Sequence, residues 1–194
     1  ILGRDPVDSD ERNIYGKTPN FLMGYGGGAK RLVVATKGAV DLSTAKDIVE
    51  GYNTGYAGMT RWKQDVLREA RKKGYVETMG GRRRRVPDLN ADQATKEGWI
   101  ARSRAERQAI NAVVQGTAAE FMKDAIIELD KVLDFPSCRM LVQVHDEVVI
   151  SVPTDQLSVW EPVVESSMGN GRVILDVPLE VEAHHAGSWA DAKG

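Results

Sequence analysis

Three sets of residues in this chain have the types and spacing to handle phosphate. His145-Asp146-Glu147 interrupts an apolar run, Arg139 to Val152, with two adjacent carboxylates. Neighbouring carboxylates repel and resist desolvation, so they need a cation or water beside them. Hard oxygen ligands suit Mg²⁺, which takes one or two carboxylates together with substrate phosphates. Lys17, Phe21 and Tyr25 are spaced i, i+4, i+8, so on a helix they follow one slowly drifting face. That face offers an ammonium for phosphate and then two aromatics, the order in which an outstretched nucleotide would meet them. Arg107, Asn111 and Gln115 repeat the spacing, and each donates hydrogen bonds. Every base pair in the DNA minor groove presents N3 or O2 acceptors, so a row of donors there checks shape without reading sequence. Arg82 to Arg85 adds a glycine-flanked run of four arginines without compensating acids nearby, which points to a polyanion.

Taken singly, each set has a plainer reading. An Asp in a sharp turn is common. A lone Lys-x3-Phe-x3-Tyr fits an amphipathic core helix with a solvated Lys, and a polar ridge fits an exposed helix face. Gly26-Gly27-Gly28 reads as a helix stop rather than a P-loop, because Gly-x4-Gly-Lys-Ser/Thr does not occur there.

The elements that must position these residues follow from periodicity. Residues 1–16 read as a lead-in loop or short helix. A helix from Leu42 is expected to be capped by Ser43 or Thr44. A second spans about Gly58 to Lys73 on the stripe Met59, Trp62, Val66, Leu67, Ala70. Gly74 to Gly81 reads as a strand and glycine turn. A long helix runs from about Trp99 to Leu133, and Gly116 in its middle, about 1 kcal/mol worse than Ala, implies close packing against something. Met140 to Val144 and Val148 to Val152 are rich in β-branched residues and read as a hairpin that lifts both carboxylates to its tip. A last helix opens at Thr154 and carries Pro162 early. Val173 to Ala183 alternates as an edge strand does, with Pro178 agreeing.

Length and composition bound the class. The chain has 194 residues, 42% hydrophobic and 28% charged, enough for one large domain or two small lobes. No apolar run reaches membrane-spanning length. One cysteine, Cys138, excludes an internal disulfide and a multi-cysteine zinc site, and a reducing cytoplasmic setting is expected. The net charge of −2 does not announce a nucleic-acid binder, but a local basic stripe can bind phosphates on an acidic protein.

In this order the sets resemble the family-A DNA polymerases, the DNA polymerase I type of bacteria and phages. Lys17-x3-Phe21-x3-Tyr25-Gly26 looks like motif B on the fingers "O" helix. Gly81-Arg82-Arg83-Arg84-Arg85-Val86-Pro87-Asp88-Leu89 and Arg107-x3-Asn111-x3-Gln115-Gly116-Thr117-Ala118-Ala119 follow in register. Gln143-Val144-His145-Asp146-Glu147 looks like motif C, and Val177-Pro178-Leu179-Glu180-Val181 and Gly187-x-Trp189 complete the likeness. The resemblance implies an α+β fold: helical fingers over residues 1–80, then over 81–194 a palm portion with an antiparallel sheet packed on the long helix. It implies that Asp146 binds catalytic Mg²⁺ with Glu147 beside it, and that His145 lies near the primer terminus. Lys17 would hold the phosphates of the incoming dNTP, Phe21 its sugar side, and Tyr25 the insertion site. A Phe at position 21 implies discrimination against dideoxynucleotides. Arg107, Asn111 and Gln115 would read the minor groove, and Arg84 would hold a template phosphate. Primer-template DNA and dNTPs are the implied partners.

The family's second palm carboxylate lies in motif A, upstream of motif B, and no such stretch precedes Lys17. The expectation is therefore a C-terminal polymerase part, inactive alone, with motif A, thumb and any exonuclease on a missing N-terminal part. The family's Arg four residues before the motif B Lys is replaced by Asn13, with Arg12 one position early. Pro19 is tolerated only in a first helical turn, so Lys17 is expected at or before a helix N-terminus. Two alternatives are a single-subunit RNA polymerase-like enzyme, which shares the motif B spacing and a His-Asp motif, and a non-catalytic DNA-binding remnant.

Overall fold

The computed structural model describes residues 8–134, 136–169 and 176–192. The fold is α+β, with helices far outweighing two separate antiparallel strand pairs. The chain clusters into two compact units, Ile1–Glu77 with Arg83–Val114, and Thr78–Arg82 with Gln115–Gly194.

The first unit opens with α1 (Ser9–Arg12), a single wide π-turn (Asn13–Lys17) and α2 (Thr18–Gly24). The helical path is continuous, with Lys17 at φ −64° and ψ −49°. The α-helix begins at Thr18 with Lys17 in its capping position, as expected from Pro19, but the turn before it is itself helical, so Lys17 does not stand at a free helix end. Proline removes an N–H and crowds the carbonyl four residues back. The turn before it widens instead, the Thr18 N–H reaching back to Asn13 O, and the buried Pro19 is carried inside the helical path. The end of α2 forms a Schellman closure: Gly26 N–H donates to Met23 O and Gly27 N–H to Leu22 O, with Gly26 at φ +76°.

Helix α3 (Ala29–Ala35) and α4 (Leu42–Gly55) close a small core of Leu32, Val40, Ala45 and Ile48, against which Ile14, Tyr15 and Leu22 pack. The cap of α4 is Asp41, not Ser43 or Thr44: its carboxylate accepts the Thr44 N–H at 2.7 Å. A carboxylate answers both the orphan N–H and the positive helix end. The Thr44 backbone bond, first among several, holds the Asp41 pKa below its ordinary value.

Helix α5 (Ala57–Lys73) ends at Gly74 in a left-handed conformation. Strands β1 (Tyr75–Glu77) and β2 (Arg83–Arg85) pair antiparallel, with Val76 opposite Arg84. Ala70, Val76, Val86 and Leu89 pack with Ala105, Ala109 and Ala112 of the long helix α6 (Lys96–Val132). Those alanines, at i, i+4 and i+7, form a flat buried face.

In the second unit, strands β3 (Arg139–Val144) and β4 (Glu147–Ser151) form the expected hairpin with Val144 opposite Glu147. A short 3₁₀ turn, Thr154–Gln156, leads into α7 (Leu157–Gly169), with Pro162 inside it, and α8 (Trp189–Ala192) lies near the end. One expectation changes here. Residues 173–175 of the proposed edge strand lie outside the described residues, and Asp176–Ala183 is not a strand. Alternation marks a face, but a strand exists only through ladder bonds to a neighbour. Gly116 does pack closely: a Cβ there would meet Thr78 Cγ2 at 2.6 Å.

Candidate nucleotide and DNA site

In the first unit, the wide turn and α2 carry Lys17, Phe21 and Tyr25 on one helical segment. Lys17 is exposed, Phe21 is 68% exposed, and Tyr25 is partly buried. The Phe21 and Tyr25 rings meet edge to face, their centroids 4.9 Å apart. An exposed aromatic of this size at the end of a well-packed helix offers a face for stacking. Just beyond Tyr25, the Schellman closure leaves Gly26 against α6: a Cβ there would sit 3.7 Å from Arg107 Cγ. The aromatic end of α2 and the first member of the donor row therefore meet. Gly27 is also tight, since a Cβ there would collide with Leu22 Cγ and lie 2.8 Å from Leu22 O.

Lys63, on α5, supports this end of α2 and was not singled out from the sequence. Its ammonium donates to Met23 O at 2.5 Å and lies 5.7 Å from the centre of the Tyr52 ring. Cations favour helix C-terminal carbonyls. Partial burial pushes the Lys63 pKa below its ordinary value. Only its i, i+4 position on the buried side of α5, next to Met59, could have flagged it.

Arg107, Asn111 and Gln115 all fall on α6 at the expected spacing. Arg107 is half-buried, Asn111 and Gln115 exposed. Arg107 and Asn111 lie about 200–240° around the helix from Ala105, on the side away from the buried alanines.

The arginine run does have acidic neighbours, contrary to expectation. Arg83 pairs with Glu77 at 2.7 Å across the β1–β2 ladder, its guanidinium 4.9 Å from the centre of Tyr75. Arg82 lies 3.7 Å from the nearly buried Glu120 carboxylate. Glu77, six residues from Arg83, is brought opposite it by strand pairing, and Glu120, far along the chain, by the packing of the turn on α6. Arg84 and Arg85 are exposed.

At the hairpin, the turn is two residues, His145 and Asp146. His145 has φ +56°, the sign that a two-residue turn demands at its first position. Gln143 braces the turn by donating from Nε2 to His145 O at 2.8 Å. Only one of the two carboxylates is at the tip. Glu147 already belongs to β4, where it takes an indole N–H bond from Trp189, a contact the sequence did not show. Asp146 is exposed and has no hydrogen-bond or ion-pair partner among the described residues. Among those residues, no group of three or more His, Cys, Asp or Glu side chains is placed to hold a metal ion.

The fold matches a solved polymerase domain, the POL domain of Pol1 from M. smegmatis in complex with DNA primer-template and dNTP. The TM-score is 0.84 at 35% identity, over 98% of this chain and 32% of that one. The family model for DNA polymerase family A matches residues 2–191, and the chain belongs to that family. Among relatives, DNA polymerase I of Lactococcus lactis subsp. lactis is 39% identical over 97% of this chain and 21% of its own length. The thermostable DNA polymerase I of Thermus filiformis is 40% identical over 100% of this chain and 22% of its own. The chain thus spans about a fifth of the length of these relatives. No helix among the described residues is long and apolar enough to cross a membrane.

Proposed function

We propose that this chain supplies the nucleotide-binding fingers and part of the palm of a DNA polymerase that extends a primer on a template, adding dNTPs to the 3′-hydroxyl. The division is fingers over 1–80 and palm over 81–194. The observation that carries this reading is the first-unit geometry. One helical segment presents Lys17, then exposed Phe21, then Tyr25, and closes at Gly26 against Arg107 of the donor-bearing helix. The family membership and the primer-template and dNTP in the solved relative support it.

Each residue then has a task. Lys17 holds the triphosphate as a flexible point charge. Phe21 lies along the sugar and Tyr25 supports the base pair at the insertion site by stacking. Arg107, Asn111 and Gln115 donate to minor-groove acceptors near the primer terminus, and Arg84 holds a template phosphate. His145, carried at the hairpin turn, lies beside the primer end.

Asp146 and Glu147 fit part of a Mg²⁺ site. Asp146 projects at an exposed turn with both oxygens available, and Glu147 follows with one oxygen held by Trp189. Mg²⁺ keeps waters and phosphate oxygens, so one or two protein carboxylates suffice on this side. When bound, the metal neutralises phosphate charge and makes the primer hydroxyl a better nucleophile. We assign the second palm carboxylate to polymerase segments outside these 194 residues, so that the chain alone does not synthesise DNA. Primer extension tests both statements. The complete polymerase should extend with dNTPs and lose synthesis with Asp146→Ala, while the 194-residue chain should give none. Robust synthesis by the isolated chain, or full activity of Asp146→Ala, would overturn the assignment.

A further inference from the structure

Residues Thr78–Arg82, which lead into the arginine strand, are held by two side chains on one stretch of α6. Glu120 is nearly buried, its side chain 9% exposed. A carboxylate is costly to bury without donors. This one has two, Thr78 Oγ1 at 2.7 Å and the Gly80 N–H at 3.0 Å, and an ion pair with the Arg82 guanidinium at 3.7 Å. Thr117, three residues earlier on α6, accepts the Met79 N–H at 3.1 Å, and the Arg82 N–H donates to Thr78 Oγ1 at 2.9 Å. Two glycines make room. A Cβ at Gly80 would lie 2.6 Å from Glu120 Oε2, and one at Gly116 would lie 2.6 Å from Thr78 Cγ2. Gly81, at φ +88°, turns the chain back so that the Thr78 N–H reaches Arg82 O at 2.9 Å.

We infer that Glu120 is a positioning residue for DNA: with Thr117 and Thr78 it locks the turn Thr78–Arg82 onto the end of α6 that carries Gln115, and so fixes where the phosphate-holding arginines begin. This rests on the proposed contact of Arg84 with a template phosphate. The arginine run divides accordingly. Arg82 braces the turn on Glu120, and Arg83 braces the ladder on Glu77. All four are exposed, and Arg84 and Arg85, which have no ion pair among the described residues, are the ones that meet phosphate. A run of four arginines therefore counts as about two toward DNA. Directional hydrogen bonds to a buried carboxylate suit this task better than apolar packing, which leaves a turn free to slide.

The salt dependence of duplex binding tests this on the chain itself, using a labelled primer-template duplex and fluorescence anisotropy over a range of KCl. Each lost phosphate contact lowers the slope of log affinity against log salt by about one. Thr78→Val is isosteric and leaves the charge unchanged, but removes the hydroxyl that joins Glu120 to Arg82. It should make the slope shallower by about one to two, so that raising salt from about 50 to about 200 mM costs roughly four- to sixteenfold less affinity than in wild type. Gly80→Ala, which pushes the carboxylate aside by a different route, should do the same, with far-UV circular dichroism unchanged. An unchanged slope in folded Thr78→Val and Gly80→Ala, or weaker binding at every salt with the same slope, overturns the positioning role. Unfolding of both variants also overturns it, making Glu120 a folding element. If instead Arg84→Gln and Arg85→Gln together leave a steep slope untouched, the proposed phosphate contact fails, whatever Thr78→Val does.

Discussion

The aromatic end of α2 and the tip of the β3–β4 hairpin present their key residues by opposite means. At α2 the backbone is relaxed: a Schellman closure, glycine where φ is positive, and Lys63 on the last carbonyls. At the hairpin a β-turn position that favours glycine is filled by His145 at φ +56°. A non-glycine residue there costs of order 1–2 kcal/mol. Side chains on a helix face need only the right spacing, with no residue held in a disfavoured backbone conformation. A side chain needed at the first position of a two-residue turn displaces the residue the turn prefers. Strain therefore marks the hairpin and is absent from α2.

Variants can break this contrast, beginning with the largest effect. Asp146→Ala in the complete polymerase should reduce single-turnover incorporation by roughly a thousandfold, the scale of losing several kcal/mol of metal-borne charge stabilisation. Because Asp146 is exposed and unpaired among the described residues, its melting temperature should stay near wild type. Tyr25→Ala should cost about 1–3 kcal/mol of stacking, appearing mainly as a raised KM for dNTP in steady-state extension. Gly27→Ala should cost about 1–3 kcal/mol of stability in denaturant unfolding, since its Cβ meets the Leu22 carbonyl as well as the side chain. His145→Gly should do the reverse at the hairpin, raising stability by about 0.5–1 kcal/mol while slowing synthesis. A His145→Gly variant that loses stability would end the claim that the turn is strained.

The smallest effect concerns Lys63. Burial lowers its folded pKa below 10.5, so the ammonium opposes folding at neutral pH. That opposition disappears as pH rises through the folded pKa toward 10.5. The stability of wild type relative to Lys63→Met should therefore increase over that alkaline window, read as the difference in urea midpoints. A difference that stays flat, or moves the other way, would show that the ammonium is not penalised at the end of α2.

Local order was legible in the sequence because it depends on residues near in the chain. The i, i+4 spacing placed Lys17, Phe21 and Tyr25 on one helical segment and Arg107, Asn111 and Gln115 on another. β-Branched runs around His145-Asp146 gave the hairpin, and Gly116 announced a close approach. What failed needed partners far away. Pro19 gave the start of α2 at Thr18, but the widened helical turn before it cannot be seen in residue types. The alternation of Asp176–Ala183 was read as a strand without knowing whether a neighbour would accept it. The arginines looked unopposed because Glu77 faces Arg83 only once β1 and β2 pair, and Glu120 is distant in sequence.

The sequence by itself determined which faces exist: which residues share a helix side, and where the chain turns back. Tertiary structure alone decided which charges are internal and which are free to meet a ligand. Arg82 and Arg84 are both exposed, yet Arg82 is paired with Glu120 and Arg84 has no ion pair among the described residues, although both are the same residue type in one run. The reason is that periodicity is a property of the local backbone, whereas the pairing and burial of a charge depend on groups that only folding brings within a few ångströms.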